Sequence, residues 1–264
     1  MPAIITLTTD FGLADPFVGV MKGVILGRVP DATLVDLTHG IPPQDLMAAC
    51  FWMGASYHVF PPGTVHLAVV DPGVGTARQR LVVGAHGHVF VGPDNGLFGW
   101  ILQDPEADVR VIGRDLVDRL GLRPSPTFEG RDVFAPVAAE LAAGRLAVAE
   151  VSAPGRAQAP SALPPARVSP QRVVGVVAAI DRFGNLITNI PEAALARLKS
   201  PLVCVGRKQL ALRRTYDDAG PMDYLALINA FEHVEVARAG GDAAAGLGVI
   251  SGTTVVVVEA PTMH

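Results

Sequence analysis

The first 150 residues alternate short apolar runs with stretches of helical character, and this alternation restricts the fold more than any other feature. Apolar, β-branched runs at 4–9, 33–37 and 65–70 predict strands, and stretches at 15–29 and 45–57 predict the helices between them. Parallel neighbouring strands need crossover connections of this kind. The pattern therefore predicts an α/β N-terminal domain over residues 1–150 with a largely parallel sheet.

A segment rich in Pro and Ala follows at residues 151–171. Several of its prolines, at positions 154, 160, 164 and 165 among others, disfavour both a long helix and a central strand, so we expect a linker there. Residues 172–264 then carry a series of β-like runs with little helix between them. This pattern predicts a smaller C-terminal domain that is mostly antiparallel and resembles a β-barrel.

Composition and charge exclude several classes of protein. Half of the residues are apolar and 17% are charged, which indicates a folded chain rather than a disordered one. The net charge of −4 argues against nucleic acid as a partner, and the apolar runs are too short to span a membrane. With no signal-like leader and only Cys50 and Cys204, far apart, we expect a cytoplasmic protein with buried thiols.

Acidic residues stand at or just after the ends of predicted strands, at Asp10, Asp36, Asp71 and Asp94. In open α/β sheets, ligands bind outside the carboxyl ends of the strands, so these side chains are candidates for a ligand site. Helix capping and Asx turns are common roles for Asp in such loops, and that alternative remains open for each of them.

The most specific local feature is the run Asp-Pro-Gly-Val-Gly-Thr-Ala-Arg from Asp71 to Arg78. Pro72 and the glycines favour a rigid turn that lets the backbone approach a ligand closely. Asp71 and Arg78 bracket the turn, and we expect their side chains to meet across it. Such a pair either orients a small polar reactant or forms a structural salt bridge.

A second candidate region follows the longest apolar run of the C-terminal domain. Asp181, Phe183 and Asn185 occupy alternate positions, and in extended geometry they would share one face. An acid, a ring and an amide on one face suit a nucleoside, whereas a β-turn with one buried Phe is the alternative. The histidines have no metal-binding spacing, so no metal site is predicted.

Several longer motifs, in this order along the chain, resemble those of the S-adenosyl-L-methionine (SAM) hydroxide adenosyltransferases. This family is related to the enzymes that form 5′-fluoro- and 5′-chloro-5′-deoxyadenosine from SAM. The motifs lie at residues 9–12, 20–23, 35–39, 70–76, 92–96, 130–136 and 180–189.

The resemblance implies a SAM hydrolase that converts SAM and water to adenosine and L-methionine by in-line attack at the ribose C5′. It also implies an α/β domain, a β-barrel-like domain, and a homotrimer that binds SAM between the N-domain of one subunit and the C-domain of its neighbour. The leaving group is the neutral sulfur of methionine, so no acid is needed to protonate it, and no metal or other cofactor is expected. The chain then has mainly to position, desolvate and activate one water molecule.

Residue roles follow from the same resemblance. Asp71 and Arg78 match two members of a water-activating Asp-Arg-His set. Asp10 matches the residue that holds the ribose hydroxyls, Asp181 one that contacts the methionine ammonium, and Tyr216 an aromatic that packs on the adenine. The other implied substrate contacts are Phe11, Gln44, Val74, Gly130, Phe183, Asn185, Asn229, Phe231 and Arg238.

The third member of the water-activating set departs from the family pattern, because Glu129 stands where His is expected. A carboxylate can accept a proton from water, but a second acid near Asp71 would raise the pKa of one of the two groups. We therefore expect weaker or pH-shifted hydrolysis.

Two other functions remain as alternatives. One is a SAM-dependent 5′-halogenase; the negative charge of Asp71 and the short 85–87 connection argue against it. The other is a catalytically impaired protein that binds SAM or adenosine.

Overall fold

The computed structural model describes residues 3–261, which fold into two compact units divided between Ala162 and Leu163. The first unit runs past residue 150 because the segment that follows packs onto it. Val151 is buried in the core of this unit, and Pro154 forms a β-bridge with Arg110. The carboxylate of Asp94 accepts hydrogen bonds from the backbone N–H groups of Gln158 and Ala159. Residues 151–162 are thus an ordered part of the first unit.

The first unit is built on a six-stranded sheet with the order β2-β1-β3-β5-β4-β6. The strands β2, β1, β3 and β5 are parallel to one another, whereas β4 is antiparallel to both β5 and β6. This confirms the predicted α/β domain with a largely parallel sheet. The strands are β1 (Ile4–Thr9), β2 (Thr33–Thr38), β3 (Val65–Val69), β4 (Arg80–Ala85), β5 (His88–Pro93) and β6 (Asp108–Val111).

Helices cover both faces of this sheet. Residues of β1, β3 and β5 are buried from both sides, which explains their continuous apolar runs. The α-helices are α1 (Phe17–Arg28), α2 (Leu46–Ser56), α3 (Arg114–Arg119) and α4 (Ala135–Ala142). A π-helical turn, Gly130–Phe134, leads directly into α4. Single 3₁₀ turns lie at Tyr57–Val59, Ile101–Gln103 and Val148–Glu150.

Local sequence signals predict some of these elements and miss others. Asp45 begins α2 as expected, because its carboxylate accepts a hydrogen bond from the backbone N–H of Ala48. The apolar stretch at 98–102 also predicts a helix, but that prediction is wrong, since only the 3₁₀ turn Ile101–Gln103 forms there. Both β6 and α3 were missed because they are short and carry several charges, which leaves little hydrophobic periodicity to detect.

The second unit is a closed barrel of seven strands, which confirms the predicted β-barrel-like domain. Its order is β8-β14-β10-β11-β12-β13-β9, and β9 pairs again with β8 to close the barrel. All neighbours are antiparallel except β11 and β12, and β7 pairs with β8 outside the ring. The strands are β7 (Arg167–Val168), β8 (Arg172–Ile180), β9 (Leu186–Pro191), β10 (Pro201–Val205), β11 (Lys208–Arg213), β12 (Tyr224–Ile228), β13 (His233–Arg238) and β14 (Thr254–Glu259).

Helix is scarce in this unit, as expected. The sequence favours one helix here, at 192–199, but the stretch forms only the 3₁₀ turn Glu192–Leu195. A further 3₁₀ turn lies at Tyr216–Asp218, and a short helix, α5 (Ala243–Leu247), was not predicted. Cys204 on β10 is half-buried rather than buried, and burial raises the pKa of its thiol. Between residues 3 and 261, no helix combines the length and the apolar character that a membrane span requires.

His66 is a buried titratable group in the core of the first unit. Its Nδ1 lies 2.8 Å from the hydroxyl of Thr6, and its Nε2 lies 3.2 Å from Nδ1 of His88. The imidazole is stacked on Phe90 with 5.1 Å between the ring centroids. Burial and the neighbouring His88 lower the pKa of His66 to about 3. The folded state therefore holds this ring neutral at pH values where the unfolded chain protonates it.

Acid should consequently destabilise the first unit between pH 6.5 and about 3, because the unfolded state takes up a proton on His66 that the folded state refuses. At pH 5 this uptake costs about 2 kcal/mol of unfolding free energy relative to pH 7. Denaturant unfolding followed by the fluorescence of Trp52 and Trp100 measures it. We expect His66→Phe to reduce this pH dependence and His58→Phe, at an exposed position, to preserve it. An unchanged pH dependence in His66→Phe would contradict the assignment.

Candidate active site

The loop that follows β3 holds the first part of the site. Its backbone folds into successive turns, with the N–H of Val74 donating to the carbonyl of Asp71 and that of Thr76 to the carbonyl of Gly73. Gly75 has a φ of +80°, a left-handed conformation that favours glycine. A Cβ at this position would lie 2.5 Å from the carbonyl oxygen of Pro126. The loop therefore requires glycine there for both conformation and space.

Asp71 and Arg78, which we expected to meet across this loop, form a two-point ion pair. Nε of Arg78 donates to Oδ1 of Asp71 over 2.8 Å, and Nη2 donates to Oδ2. Only 5% of the Asp71 side chain and 9% of the Arg78 side chain are exposed. Burial lowers the pKa of Arg78, but the carboxylates of Asp71 and Glu129 outweigh it and raise the pKa above its usual value. Both groups of the pair are held firmly out of bulk water.

Glu129 joins this pair from the turn that precedes α4. Its Oε2 accepts a 2.6 Å hydrogen bond from Nη2 of Arg78, the same nitrogen that contacts Asp71. Its Oε1 accepts hydrogen bonds from Nε of Arg80, at 2.9 Å, and from Nη2 of Arg80. The side chain of Glu129 is 6% exposed. The four side chains form one chain of alternating charges, Asp71–Arg78–Glu129–Arg80, which we call the charge cluster.

The charge cluster corrects one expectation about Glu129. Burial raises the pKa of this carboxyl, but hydrogen bonds and charge from Arg80 and Arg78 outweigh burial and bring the pKa below its usual value. The prediction that proximity to Asp71 would raise a carboxyl pKa therefore does not hold for Glu129. Sequence reasoning missed Arg80. The available signal was its position two residues after Arg78 at the start of a strand, where alternate residues share a face.

Asp10 directly follows β1 and binds the segment that leads into α2. Its Oδ2 accepts a 2.8 Å hydrogen bond from the backbone N–H of Gln44. Gln44 has a φ of +65°, an uncommon conformation for a residue other than glycine and one that often marks a functional site. Two of the residues assigned to substrate binding, Asp10 and Gln44, are thus in direct contact.

Aromatic rings connect the loop after β1 with the turn that carries Glu129. Phe11 packs edge-on against Phe128 with 5.9 Å between centroids, and Phe17 contacts both rings. Gly130 lies beneath Phe128, where a Cβ would come within 3.3 Å of that ring. The site residues predicted in the first unit therefore lie on the side of the sheet where the parallel strands have their carboxyl ends.

The other strand-end acids have structural partners. Asp36 forms ion pairs with Lys22, at 2.6 Å, and with Nε2 of His39, at 2.9 Å. Asp94 binds backbone N–H groups of the segment that follows residue 157. These contacts are structural, but they are neither the helix cap nor the Asx turn that the sequence left open for the two residues.

The second unit contains a cavity of about 550 Å³ at one end of the barrel. Five of the residues assigned to substrate binding line it together with three small residues of the loop after β13. The lining residues are Asp181, Phe183, Asn185, Tyr216, Arg238, Ala239, Gly240 and Gly241. This volume suits a nucleoside-sized ligand.

The segment from Asp181 to Asn185 is a turn rather than the extended chain that we considered. The Asp181 carboxylate accepts hydrogen bonds from the backbone N–H of Phe183, at 2.8 Å, and from the N–H and side-chain amide of Asn185, both at 2.9 Å. The ring of Phe183 is 77% exposed, so the alternative of a β-turn with a buried Phe is also wrong. All three side chains reach the same cavity because the turn folds them together.

Tyr216 is anchored in the cavity wall by a buried acid. Its hydroxyl donates a 2.7 Å hydrogen bond to Oε1 of Glu235, which is 3% exposed on β13. Burial and the Glu235 carboxylate raise the pKa of Tyr216. The pKa of Glu235 is also raised, because burial and the charge of Asp181 outweigh hydrogen bonds from Tyr216 and Asn229. Sequence reasoning missed Glu235, which lies between two valines in an otherwise apolar strand.

Three further predicted residues have different surroundings. Asn229 holds the turn between β12 and β13, since its Oδ1 accepts from the backbone N–H groups of Phe231 and His233. Asn229 and Phe231 are not among the residues that line the cavity. Arg238 does line it, and its guanidinium lies 5.1 Å from the ring centroid of Tyr224. Residues 3–261 contain no group of three or more His, Cys, Asp or Glu side chains suited to a metal ion.

The first unit is an α/β domain with a buried charge cluster at the strand ends, and the second is a seven-stranded barrel with a nucleoside-sized cavity. These two domains, in this order, are those of a known family of two-domain proteins. The N-terminal domain of the SAM hydroxide adenosyltransferases matches residues 5–152, and the C-terminal domain of that family matches residues 175–256. The chain belongs to the SAM hydroxide adenosyltransferase family.

Individual relatives agree with this membership. The chain is 40% identical over 256 residues to a protein of Salinispora arenicola named (R)-S-adenosyl-L-methionine hydrolase, covering 94% of this chain and 95% of the relative. A more distant relative, the fluorinase of Actinopolyspora mzabensis, is 29% identical, with 89% and 90% of the two chains covered. The solved structure of an uncharacterized conserved protein from Thermotoga maritima superposes with a TM-score of 0.84 at 33% identity, covering 97% of this chain and 100% of that one.

Gly75→Ala should distort the loop that presents Asp71 and Arg78, because the new Cβ would meet the Pro126 carbonyl in an unfavourable backbone conformation. We expect a loss of about 1–3 kcal/mol in unfolding free energy, measured by denaturant unfolding. Gly73→Ala is the matched control, since a Cβ there meets its neighbours only at 3.5 Å or beyond. Equal stability of the two variants would show that Gly75 is not required.

Proposed function

We propose that this protein is a SAM hydrolase, which converts SAM and water to adenosine and L-methionine. The observation that carries the proposal is the buried charge cluster, which offers carboxylate oxygens fixed by arginine at the carboxyl end of β3. Family membership and the 40% identical relative named (R)-S-adenosyl-L-methionine hydrolase support the choice of substrate.

The proposed reaction needs a base but no acid. The oxygen of water attacks C5′ of the ribose as the C5′–S bond breaks. The electron pair of that bond goes to sulfur, so the sulfonium becomes the neutral thioether of methionine. A proton must leave the attacking water, and Asp71 is the residue that accepts it and passes it to solvent. Arg78 holds the Asp71 carboxylate in one orientation through two hydrogen bonds. No metal or other cofactor takes part in this scheme.

Substrate recognition would divide between the two units. In the first, Asp10 would hold the ribose hydroxyls, with contacts from Phe11, Gln44, Val74 and Gly130. In the second, Asp181 would contact the methionine ammonium, and Tyr216 would pack on the adenine. Phe183, Asn185, Asn229, Phe231 and Arg238 would complete the adenine and carboxylate contacts. We also infer a cytoplasmic homotrimer whose sites are shared between subunits.

Hydrolysis predicts one labelled product. Incubation with SAM in ¹⁸O-labelled water should give adenosine that carries the label at its 5′ oxygen, with one L-methionine released for each adenosine, as measured by mass spectrometry. The same incubation in high chloride tests the halogenase alternative, which the fluorinase relative raises. The appearance of 5′-chloro-5′-deoxyadenosine would identify that reaction, and binding of SAM without methionine release would indicate an impaired, binding-only protein.

Asp71→Asn should lower kcat by about 10²–10⁴-fold, because the amide cannot accept the proton of the attacking water. Asp108→Asn is the control, since Asp108 forms a two-point ion pair with Arg110 elsewhere in the same unit. Steady-state release of adenosine by both variants measures the difference. If Asp71→Asn retains wild-type kcat, Asp71 is not the base.

A further inference from the structure

Arg80 is a charged side chain of the site to which neither the family motifs nor the sequence assigned a role. It begins β4, two residues after Arg78, and 29% of its side chain is exposed. Two of its nitrogens, Nε and Nη2, donate to the same oxygen of Glu129, which is buried. Arg80 therefore reaches from a partly exposed position to a buried carboxylate.

The two oxygens of Glu129 are divided between two arginines. Oε1 is bound by Arg80 and Oε2 by Arg78, so the carboxylate cannot turn without losing a charged hydrogen bond. Nη2 of Arg78 is in turn shared between Glu129 and Asp71. Displacement of Glu129 would consequently remove one of the two carboxylates that hold the Arg78 guanidinium in place.

Charge balance explains why the arginine at position 80 matters. Two carboxylates and two guanidinium groups give the charge cluster a formal charge of zero, whereas loss of Arg80 would leave it negative. A buried carboxylate without a full set of partners is costly and takes up a proton instead. Without Arg80, a protonated Glu129 would carry an O–H donor beside the guanidinium of Arg78, which can only donate.

We propose that Arg80 is a positioning residue for water activation, which acts through Glu129 to hold the Arg78 guanidinium against Asp71. Arg80 keeps Glu129 in its carboxylate form, so Glu129 accepts hydrogen bonds and Asp71 accepts the proton. This inference rests on the proposed hydrolysis. It also explains how glutamate can occupy a position where the family pattern has histidine.

The groups that face Glu129 agree with this role. Burial raises the pKa of Glu129, and Arg80 and Arg78 lower it to a value below the usual one. Asp71 lies beyond Arg78, on the other side of the shared nitrogen. The neighbouring charges in sequence, Arg131 and Asp132, are paired with each other.

A matched ion-pair arrangement elsewhere in the unit separates positioning from general stability. Glu140 on α4 is also buried and is held by two arginines, Arg28 and Arg145. The side chain of Arg28 is 30% exposed, close to the 29% of Arg80. Arg28→Met therefore removes one of two arginines from a buried carboxylate outside the site, where Arg145 still binds both oxygens of Glu140.

The experiment compares Arg80→Met with Arg28→Met in the full chain, using kcat, KM and the pH profile of adenosine release together with thermal unfolding. For Arg80→Met we expect kcat to fall roughly tenfold or more with KM within about twofold, and the acid limb of kcat to move up by about one pH unit or more. Arg28→Met should also lose thermal stability but keep wild-type kinetics. Wild-type kcat and pH profile in Arg80→Met, or equal kinetic effects in both variants, would overturn the proposal.

A second substitution isolates the titration of Glu129. In the double variant Arg80→Met with Glu129→Gln, the shifted acid limb should disappear while kcat stays low, because an amide does not titrate and binds Arg78 more weakly. Persistence of the shifted limb would assign it to another group and contradict the proposal. Arg80→Lys keeps a charge without the planar fork and should show a smaller loss of kcat, which provides a test if Arg80→Met does not fold.

A readout independent of catalysis separates this inference from the proposed function. ¹³C NMR of the Glu129 carboxyl in glutamate-labelled protein should show a carboxylate throughout about pH 5 to 8 in wild type, and titration entering that range in Arg80→Met. If wild type releases no adenosine from SAM, the proposed function fails while this comparison still tests how Arg80 acts on Glu129. If wild type hydrolyses SAM and the Glu129 signal is the same in both proteins, the Arg80 inference alone fails.

Discussion

The site of the first unit depends on one buried guanidinium that two carboxylates share. Arg78 donates to Asp71 with two nitrogens and to Glu129 with one of them, and all three side chains are nearly inaccessible to water. Burying two carboxylates near each other would be strongly unfavourable without this cation and the second one at Arg80. The cluster is therefore stable as a unit, and the effect of any one member depends on the others.

The fold brings these members together from separate parts of the chain. The loop after β3 supplies Asp71, and the chain then enters β4, an antiparallel strand that carries Arg80 two residues beyond Arg78. Glu129, which directly precedes the π-helical turn before α4, comes from about fifty residues further on. A parallel sheet with strand ends at one edge makes such an assembly possible, because loops that are distant in sequence meet there.

In the barrel unit, carboxylates also position the residues around the site, but fewer charged groups take part. A turn closed by the Asp181 carboxylate aligns Phe183 and Asn185 with the cavity, and buried Glu235 anchors the hydroxyl of Tyr216 behind its wall. Acids in this unit thus hold the backbone and a ring in place. In each unit, acids that look catalytic in the sequence also have a structural role, and only their contacts distinguish the two.

The sequence by itself determined the class of fold, the family and most of the residues around each site. Hydrophobic runs and turn-forming residues are local signals, so they predict β1, β3 and the Asp71–Arg78 turn without tertiary information. The tertiary structure decided what local signals do not contain. Arg80, Glu235 and the direction of the Glu129 pKa shift depend on side chains that meet only after folding, because the free energy of a buried charge is set by its spatial neighbours and its distance from water.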